Sequence, residues 1–248
     1  VVNEVQAPAP ASGEVQIRVA YTGICGTDLH VLHGSMDARV DVPQAIGHEM
    51  SGTVESVGEG VTAFAAGDKV TVMPLDWCGT CPACKAGNSH ICQNLNFVGI
   101  DSPGSLQELW NVREDLVVPL PASLSLEHAA LVEPLAVACH DVSRSRLTEG
   151  ETAVIIGGGP IGQLIALVAA ATGATVYVIE PNPERRALAE RLGARTIDPT
   201  TSDAVAIIEE ATGSAGADVV FEVAGVAVTA HTAVDYAKVR GRVVLVAI

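Results

Sequence analysis

From about residue 150 onward the chain alternates without interruption between short apolar runs and helix-patterned stretches. "TAVIIGG" reads as a strand and "PIGQLIALVAAATG" as a helix. "TVYVIE" and "PERRALAERLG" repeat the pair, as do "RTID" and "SDAVAIIEEATG". "ADVVFEVAG" is a further strand, "VTAHTAVDYAKV" a further helix, and "RVVLVAI" closes as a strand. Strands apolar on both faces and separated by helices are buried only in a parallel sheet covered from both sides. This half is expected to be a doubly wound α/β unit.

The first half has a different texture. Short Val-rich runs sit between Gly and Pro: "VQIRVAYTG", "SGTVESVG", "DKVTVMP", "LQELWNV" and "DLVVPLP". These read as strands with turns. Around "SLSLEHAALVEPLAVACHDVSRS" the pattern turns helical, with Ser125 as the expected N-cap.

Hydrophobic residues make up 48% of the 248, enough for sizeable cores. The formal charge of −15 argues against nucleic acid or an anionic membrane as partner, since both need basic patches. Aromatic residues, at 3%, are too few for base-stacking platforms. No apolar run reaches the ~18 residues of a membrane span, and the first residues lack the pattern of a secretory signal.

Three groups of residues carry chemistry. Gly157-x-Gly159-x-x-Gly162 follows a strand and opens a helix, with Pro160 and Ile161 inside it and Glu180 ending the next strand. That context is what dinucleotide binding requires: glycines admit the pyrophosphate, and the helix N-terminus offers N–H groups. Glu180 is expected to accept ribose hydroxyls and repel a 2′-phosphate, favouring NAD over NADP, although Arg185 and Arg186 lie close. The plainer alternative is a turn of packing glycines. Second, Cys78-x2-Cys81-x2-Cys84-x7-Cys92 has the spacing of a closed tetrahedral zinc site, with an iron–sulfur cluster and a pair of disulfides as rivals. Cysteines clustered in a long chain point to metal in a reducing, cytoplasmic setting. Third, Cys25, the adjacent pair His48–Glu49, and Glu133 together supply the thiolate, imidazole and carboxylates that an open catalytic zinc site needs. Taken singly, each of them reads as a core or surface residue.

With these pieces in order, the chain resembles the zinc-dependent medium-chain dehydrogenases, the family of alcohol, sorbitol, threonine and butanediol dehydrogenases. The matching stretches are "GICGTDLH", "GHEMSGTVESVGEGV", "GDKV", the four-cysteine lobe, "LVEPLAV", "GGGPIG" and "GRVVLV". The resemblance implies a GroES-like β-rich catalytic domain over residues 1–135. A Rossmann NAD-binding domain, incomplete at its C-terminus, follows over 136–248. It implies catalytic zinc on Cys25, His48 and Glu49, with Glu133 a ligand directly or through water, and structural zinc on the four clustered cysteines. It also implies that Asp28 orients His48, and that Thr27 and His30 relay a proton to solvent. The expected substrate is a secondary alcohol of the polyol or vicinal-diol class. A threonine-type amino alcohol is the alternative, and a non-catalytic nucleotide-binding fragment a second. The sequence is expected to be truncated at both ends, and the full-length protein to be a homodimer or homotetramer.

Overall fold

The computed structural model describes residues 4–41 and 43–247. Two units divide the chain, Val1–Glu133 and Pro134–Ile248. In the first, β1 (Glu14–Thr22) leads into a short helix α1 (Gly26–Leu32), followed by β2 (Met50–Val57) and β3 (Lys69–Val72). A lobe then carries β4 (Leu75–Asp76), α2 (Pro82–Lys85) and β5 (Asn96–Phe97), before β6 (Leu109–Arg113), β7 (Val117–Pro119) and α3 (Leu126–Ala129). Five of these strands form an antiparallel sheet in the order β6-β1-β2-β3-β7, and β4 pairs with β5 separately.

The alternation in "VQIRV" explains the register. Val15 and Ile17 point to one face and sit opposite Val112 and Trp110 of β6. With Met50, Val54 and Val70 they form the core of this unit. Burying such cross-strand pairs is what fixes a strand in one register, because a one-residue slip would turn every apolar side chain to water.

The second unit has the expected parallel sheet. After α4 (Val132–Ser145) come β8 (Thr152–Ile156), α5 (Pro160–Ala171), β9 (Thr175–Ile179), α6 (Pro183–Arg191), β10 (Arg195–Ile197), α7 (Ala204–Ala211), β11 (Ala217–Glu222), α8 (Ala227–Thr232) and β12 (Ala237–Leu245). All pairings are parallel, in the order β10-β9-β8-β11-β12. Along β8, Ala153 and Ile155 enter one core while Val154 and Ile156 enter the other. Both faces are therefore buried, as continuous apolar strands require. The order reverses between β8 and β11, and the crevice outside their carboxyl ends is where ligands bind in open α/β sheets.

Two segments differ from expectation. The helical stretch beginning at Ser125 is two helices rather than one. Ser125 does cap α3, accepting a hydrogen bond from His128 N at 3.2 Å. The break at Ala130–Leu131 follows from Pro134, which lacks an N–H and whose ring would meet the carbonyl four residues back in a continuous helix. The helix expected through Val239 stops at Thr232, with a 3-10 turn over Ala233–Tyr236. From Ala237 the chain is already strand. Pairing with β11 and an ion pair between Lys238 and Asp218 override the weak local helix preference. Ile248, the last residue of the expected final strand, lies outside the described residues.

Candidate metal and dinucleotide sites

Cys25 precedes α1 in extended backbone, at the N-cap position. Asp28, three residues on, turns back and accepts from Cys25 N at 2.9 Å through Oδ2. This reciprocal cap fixes the direction in which the helix leaves β1. His48 and Glu49 arrive from the loop before β2. That loop is cradled by glycines: a Cβ on Gly99 or Gly104 would lie 2.2 or 2.1 Å from the Gly47 carbonyl oxygen. Phe97 of β5 packs edge-on against the His48 ring, with centroids 5.1 Å apart. Gly23 donates its N–H to Glu49 O at 2.6 Å. A Cβ on Gly23 would lie 2.4 Å from Glu49 Oε2, so this glycine leaves the space the carboxylate fills.

The result is that Cys25, His48 and Glu49 present ligand atoms all within 4.8 Å of one another. His48 is 4% exposed; the other two are half-buried. Burial pushes the Cys25 thiol and the Glu49 carboxyl up and the His48 imidazole down, each toward its neutral form. His48 Nδ1 and Asp28 Oδ1 are both buried without a hydrogen-bond partner. The pairing expected between them is therefore not made, although the Asp28 charge favours the protonated imidazole. Thiolate, imidazole and carboxylate suit zinc, and three protein ligands leave a position open. Burying two acidic groups together without a cation is unfavourable, and a divalent ion removes that cost. The residues present thus fit a catalytic zinc.

Glu133 stands outside this group of three ligand atoms. Burial first, and then the Glu49 charge, raise its carboxyl to about 7. Thr27 is half-buried, its Oγ1 3.7 Å from Cys25 Sγ, and His30 is exposed one turn further along α1.

The four-cysteine lobe closes as its spacing predicts. Cys81 Sγ lies 3.5 Å from Cys84 Sγ and 3.9 Å from Cys92 Sγ, and Cys92 Sγ lies 3.5 Å from Cys78 Sγ. None of the four is in a disulfide. A tetrahedron with metal–sulfur bonds of ~2.3 Å has edges of about 3.8 Å, so these sulfurs fit a single ion. Backbone N–H groups point at them: Cys78 N and Asn94 N at Cys92, and Gln93 N at Cys81. Hydrogen bonds led by the Thr80 backbone lower the Cys78 thiol to about 5, while burial among its neighbours raises Cys84 to about 12.

In the second unit, Gly159 is the N-cap of α5, and Pro160 sits at its first turn, where a missing N–H costs nothing. Gly157 has φ +104°, and a Cβ on Gly162 would lie 2.0 Å from Gly157 O. Strand, turn and helix are thus in van der Waals contact. Ile161 is packed against the core of this unit. Glu180 is 3% exposed. Its Oε2 accepts from Gly158 N at 2.7 Å and its Oε1 from Asn182 N at 2.8 Å, with Arg185 Nη1 3.8 Å from Oε2. Glu180 is therefore a brace for the glycine turn as well as a candidate ribose contact.

Sequence reasoning missed three residues here. Gly23 carries no local signal. Gln163 did carry one, as a lone polar residue in "PIGQLIALV"; its Nε2 donates to Gly158 O and Arg185 O, at 2.9 and 2.8 Å, tying the turn to α6. Glu222 is the last residue of β11, and Glu180 directly follows β9, so an acid closes each apolar run.

Comparison with known proteins places these features in context. Residues 11–122 match the alcohol dehydrogenase GroES-like domain, and residues 160–248 match the zinc-binding dehydrogenase domain. A 2-dehydro-3-deoxy-L-galactonate 5-dehydrogenase from Pseudoalteromonas atlantica is 56% identical, over 99% of this chain and 72% of its own length. The (R,R)-butanediol dehydrogenase of Bacillus subtilis is 40% identical, over 100% of this chain and 74% of its own. A zinc-binding dehydrogenase from Sinorhizobium meliloti solved with NADP superposes with a TM-score of 0.93 at 38% identity, covering 98% of this chain and 72% of that one.

Proposed function

Since the chain belongs to the zinc-dependent medium-chain dehydrogenase family, we propose that it oxidises a secondary alcohol of a polyhydroxylated substrate, a polyol or sugar acid, with NAD as the preferred hydride acceptor. The observation that carries this reading is the convergence of Cys25, His48 and Glu49 ligand atoms within 4.8 Å, in a chain 56% identical to a dehydrogenase of a deoxy sugar acid.

Cys25, His48 and Glu49 would hold the catalytic zinc, and Cys78, Cys81, Cys84 and Cys92 the structural one. When bound at the open site, zinc supplies a Lewis acid that acidifies an alcohol hydroxyl. The chain's own residues do the rest. Gly23 keeps Glu49 in place. Thr27, beside Cys25, accepts the hydroxyl proton while giving up its own O–H proton toward His30, which releases a proton to solvent. Four thiolates leave no open position, so the cysteine lobe holds structure and does no chemistry.

The dinucleotide supplies the hydride acceptor. The turn Gly157–Gly162 would cradle its pyrophosphate at the start of α5, and Glu180 would meet the adenosine ribose. A buried carboxylate there disfavours a 2′-phosphate, while Arg185 at 3.8 Å narrows the margin.

Relatives 37–40% identical are L-threonine 3-dehydrogenases, which keeps amino-alcohol oxidation as a second reading. Nicotinamide reduction followed at 340 nm with 2-dehydro-3-deoxy-L-galactonate, (R,R)-2,3-butanediol, sorbitol and L-threonine separates the two. The sugar acid or a polyol should give the highest kcat/KM. A protein that turns over threonine fastest, or none of these, overturns the proposal.

A further inference from the structure

Glu222 is a carboxylate that the chemistry above does not use. It is 2% exposed, and among the described residues no Lys, Arg or His pairs with it as a salt bridge. A charge in such a place is costly unless it is fully hydrogen-bonded. Here one oxygen collects three donors: Oε1 accepts from Ala224 N at 3.0 Å, Gly225 N at 3.1 Å and Thr229 Oγ1 at 2.7 Å. All three lie just beyond β11, two in the loop and one on α8. The carboxylate therefore ties the loop leaving β11 to the strand end and to the following helix at once.

That loop has a specific neighbour. A Cβ on Gly157 would lie 3.0 Å from Ala224 N and 3.1 Å from Ala224 Cα. The first glycine of the dinucleotide turn thus packs directly on the residue that Glu222 holds. β8 and β11 are adjacent and the strand order reverses between them, so this contact sits at the mouth of the ligand crevice. On the β9 side of the same mouth Glu180 plays the matching part, accepting from Gly158 N. Two buried carboxylates thus brace the glycine turn, Glu180 just past β9 directly at Gly158 and Glu222 at the end of β11 through Ala224. Both sides of the turn that would cradle a pyrophosphate are held by a buried carboxylate.

We infer that Glu222 is a positioning residue for the dinucleotide: it pre-orders the loop carrying Ala224 and Gly225 against Gly157, forming a fixed wall beside the glycine turn. This rests on the dinucleotide reading above. Pre-ordering a loop raises affinity because the ligand no longer has to order it.

Calorimetric titration of NAD into wild type, Glu222→Gln, Glu222→Leu and Thr229→Val tests it, with melting temperature and zinc content measured alongside. Gln keeps the acceptor oxygen and should bind within about threefold of wild type. Leu removes the acceptor and should bind about tenfold or more weaker, the scale of a lost charge-assisted hydrogen bond. Thr229→Val removes one donor of three and should fall between them. Zinc content should not move. A residue that merely stabilises the fold would lower the melting temperature and leave the Kd of the folded protein unchanged, and that outcome in Leu overturns the inference. Should Leu fail to fold, an unchanged Kd in Thr229→Val, or a Gln variant as weak as one lacking any acceptor, overturns it instead. Wild type that takes up no NAD or NADP sinks the dinucleotide reading together with this one; normal wild-type binding with unaffected variants sinks this one alone.

Discussion

Asp28 Oδ1 and His48 Nδ1 are each buried, and neither has a hydrogen-bond partner, although the other Asp28 oxygen is committed to Cys25 N at 2.9 Å. One carboxylate thus caps the helix that carries Cys25 and leaves its second oxygen available to the imidazole. An Nδ1–H donated to it would set the tautomer of His48 and sharpen its ligand geometry. Asp28→Asn keeps the cap, since Asn accepts as well at such positions, and removes the charge. Affinity for the catalytic ion should fall about 10–100-fold. Dialysis against graded chelator, with metal counted per chain, should show one ion lost early and the four-cysteine ion retained. Equal retention of both ions would show that Asp28 serves the helix alone.

The cysteine lobe should behave differently. Cys81 Sγ is close to two of the other three sulfurs and is itself buried. Cys81→Ser should remove the structural ion, and structural zinc contributes folding energy directly. A loss of roughly 3 kcal/mol lowers Tm by roughly 6–12 °C in a chain of this size. Cobalt substitution reads the site independently, through the thiolate charge-transfer bands of a four-sulfur ion. Those bands should vanish in Cys81→Ser while the ion at Cys25, His48 and Glu49 remains. Iron in the wild-type lobe would overturn the zinc assignment.

The proposed preference for NAD rests on Glu180. Because it also braces Gly158, an Ala substitution would disturb the turn and blur the result. Glu180→Gln keeps an acceptor and removes the charge. The preference for NAD over NADP should then fall by about tenfold, or roughly 1.4 kcal/mol, with Arg185 freed to meet the 2′-phosphate. Wild type with the lower KM for NADP would mean that Arg185 already dominates.

Glu133 makes a pH prediction for the metal-free protein. Its carboxyl is raised from 4.5 to about 7, by burial first and the Glu49 charge second. A raised folded pKa means the fold favours the protonated form. The stabilisation is complete below about 4.5 and is lost as pH rises through about 7. The full swing is about 3 kcal/mol on an order-of-magnitude basis. Melting temperatures of stripped protein should therefore decline between pH 5 and pH 8 from this group, and Glu133→Gln should flatten that decline. An unchanged slope would mean that Glu133 is charged in the fold at neutral pH.

What could be read from the sequence was local. The four cysteines lie in one short stretch, so spacing exposed them; the glycine turn needed its flanking strand and helix, and His48–Glu49 needed Cys25, Glu133 and the family resemblance. The alternating apolar strands of the second half told their own story, because burial on both faces leaves few other folds. What escaped depends on residues far apart in the chain. Gly23 matters only because Glu49 folds over it, Gly99 only because the Gly47 carbonyl meets it, and Glu222 only because Ala224 packs on Gly157. The start of β12 at Ala237 escaped for the same reason: pairing with β11 decides it, and no local pattern records that. Glu133, expected as a ligand directly or through water, lies outside the three clustered ligand atoms, a separation that only the fold reveals.

The proton path offers the most exposed prediction. Thr27 and His30 are three residues apart on α1, which puts them on one face of the helix. Thr27 is half-buried beside Cys25, and His30 is exposed, so the face runs from the metal site toward water. A group that only conducts the proton outward is dispensable for metal and dinucleotide binding. His30→Gln should leave zinc content and NAD affinity as in wild type. Alcohol oxidation should slow at neutral pH by up to about 100-fold, the low end for general acid–base groups, because water remains as a poorer exit. The loss should shrink as pH rises, since hydroxide can take the proton in place of imidazole. Were His30 only a polar residue on an exposed helix, Gln would change little at any pH. Were it a ligand, zinc would be lost with it. A pH–rate profile of the two proteins, measured beside their metal content, distinguishes all three, and only a deficit that closes toward high pH with zinc intact supports the relay.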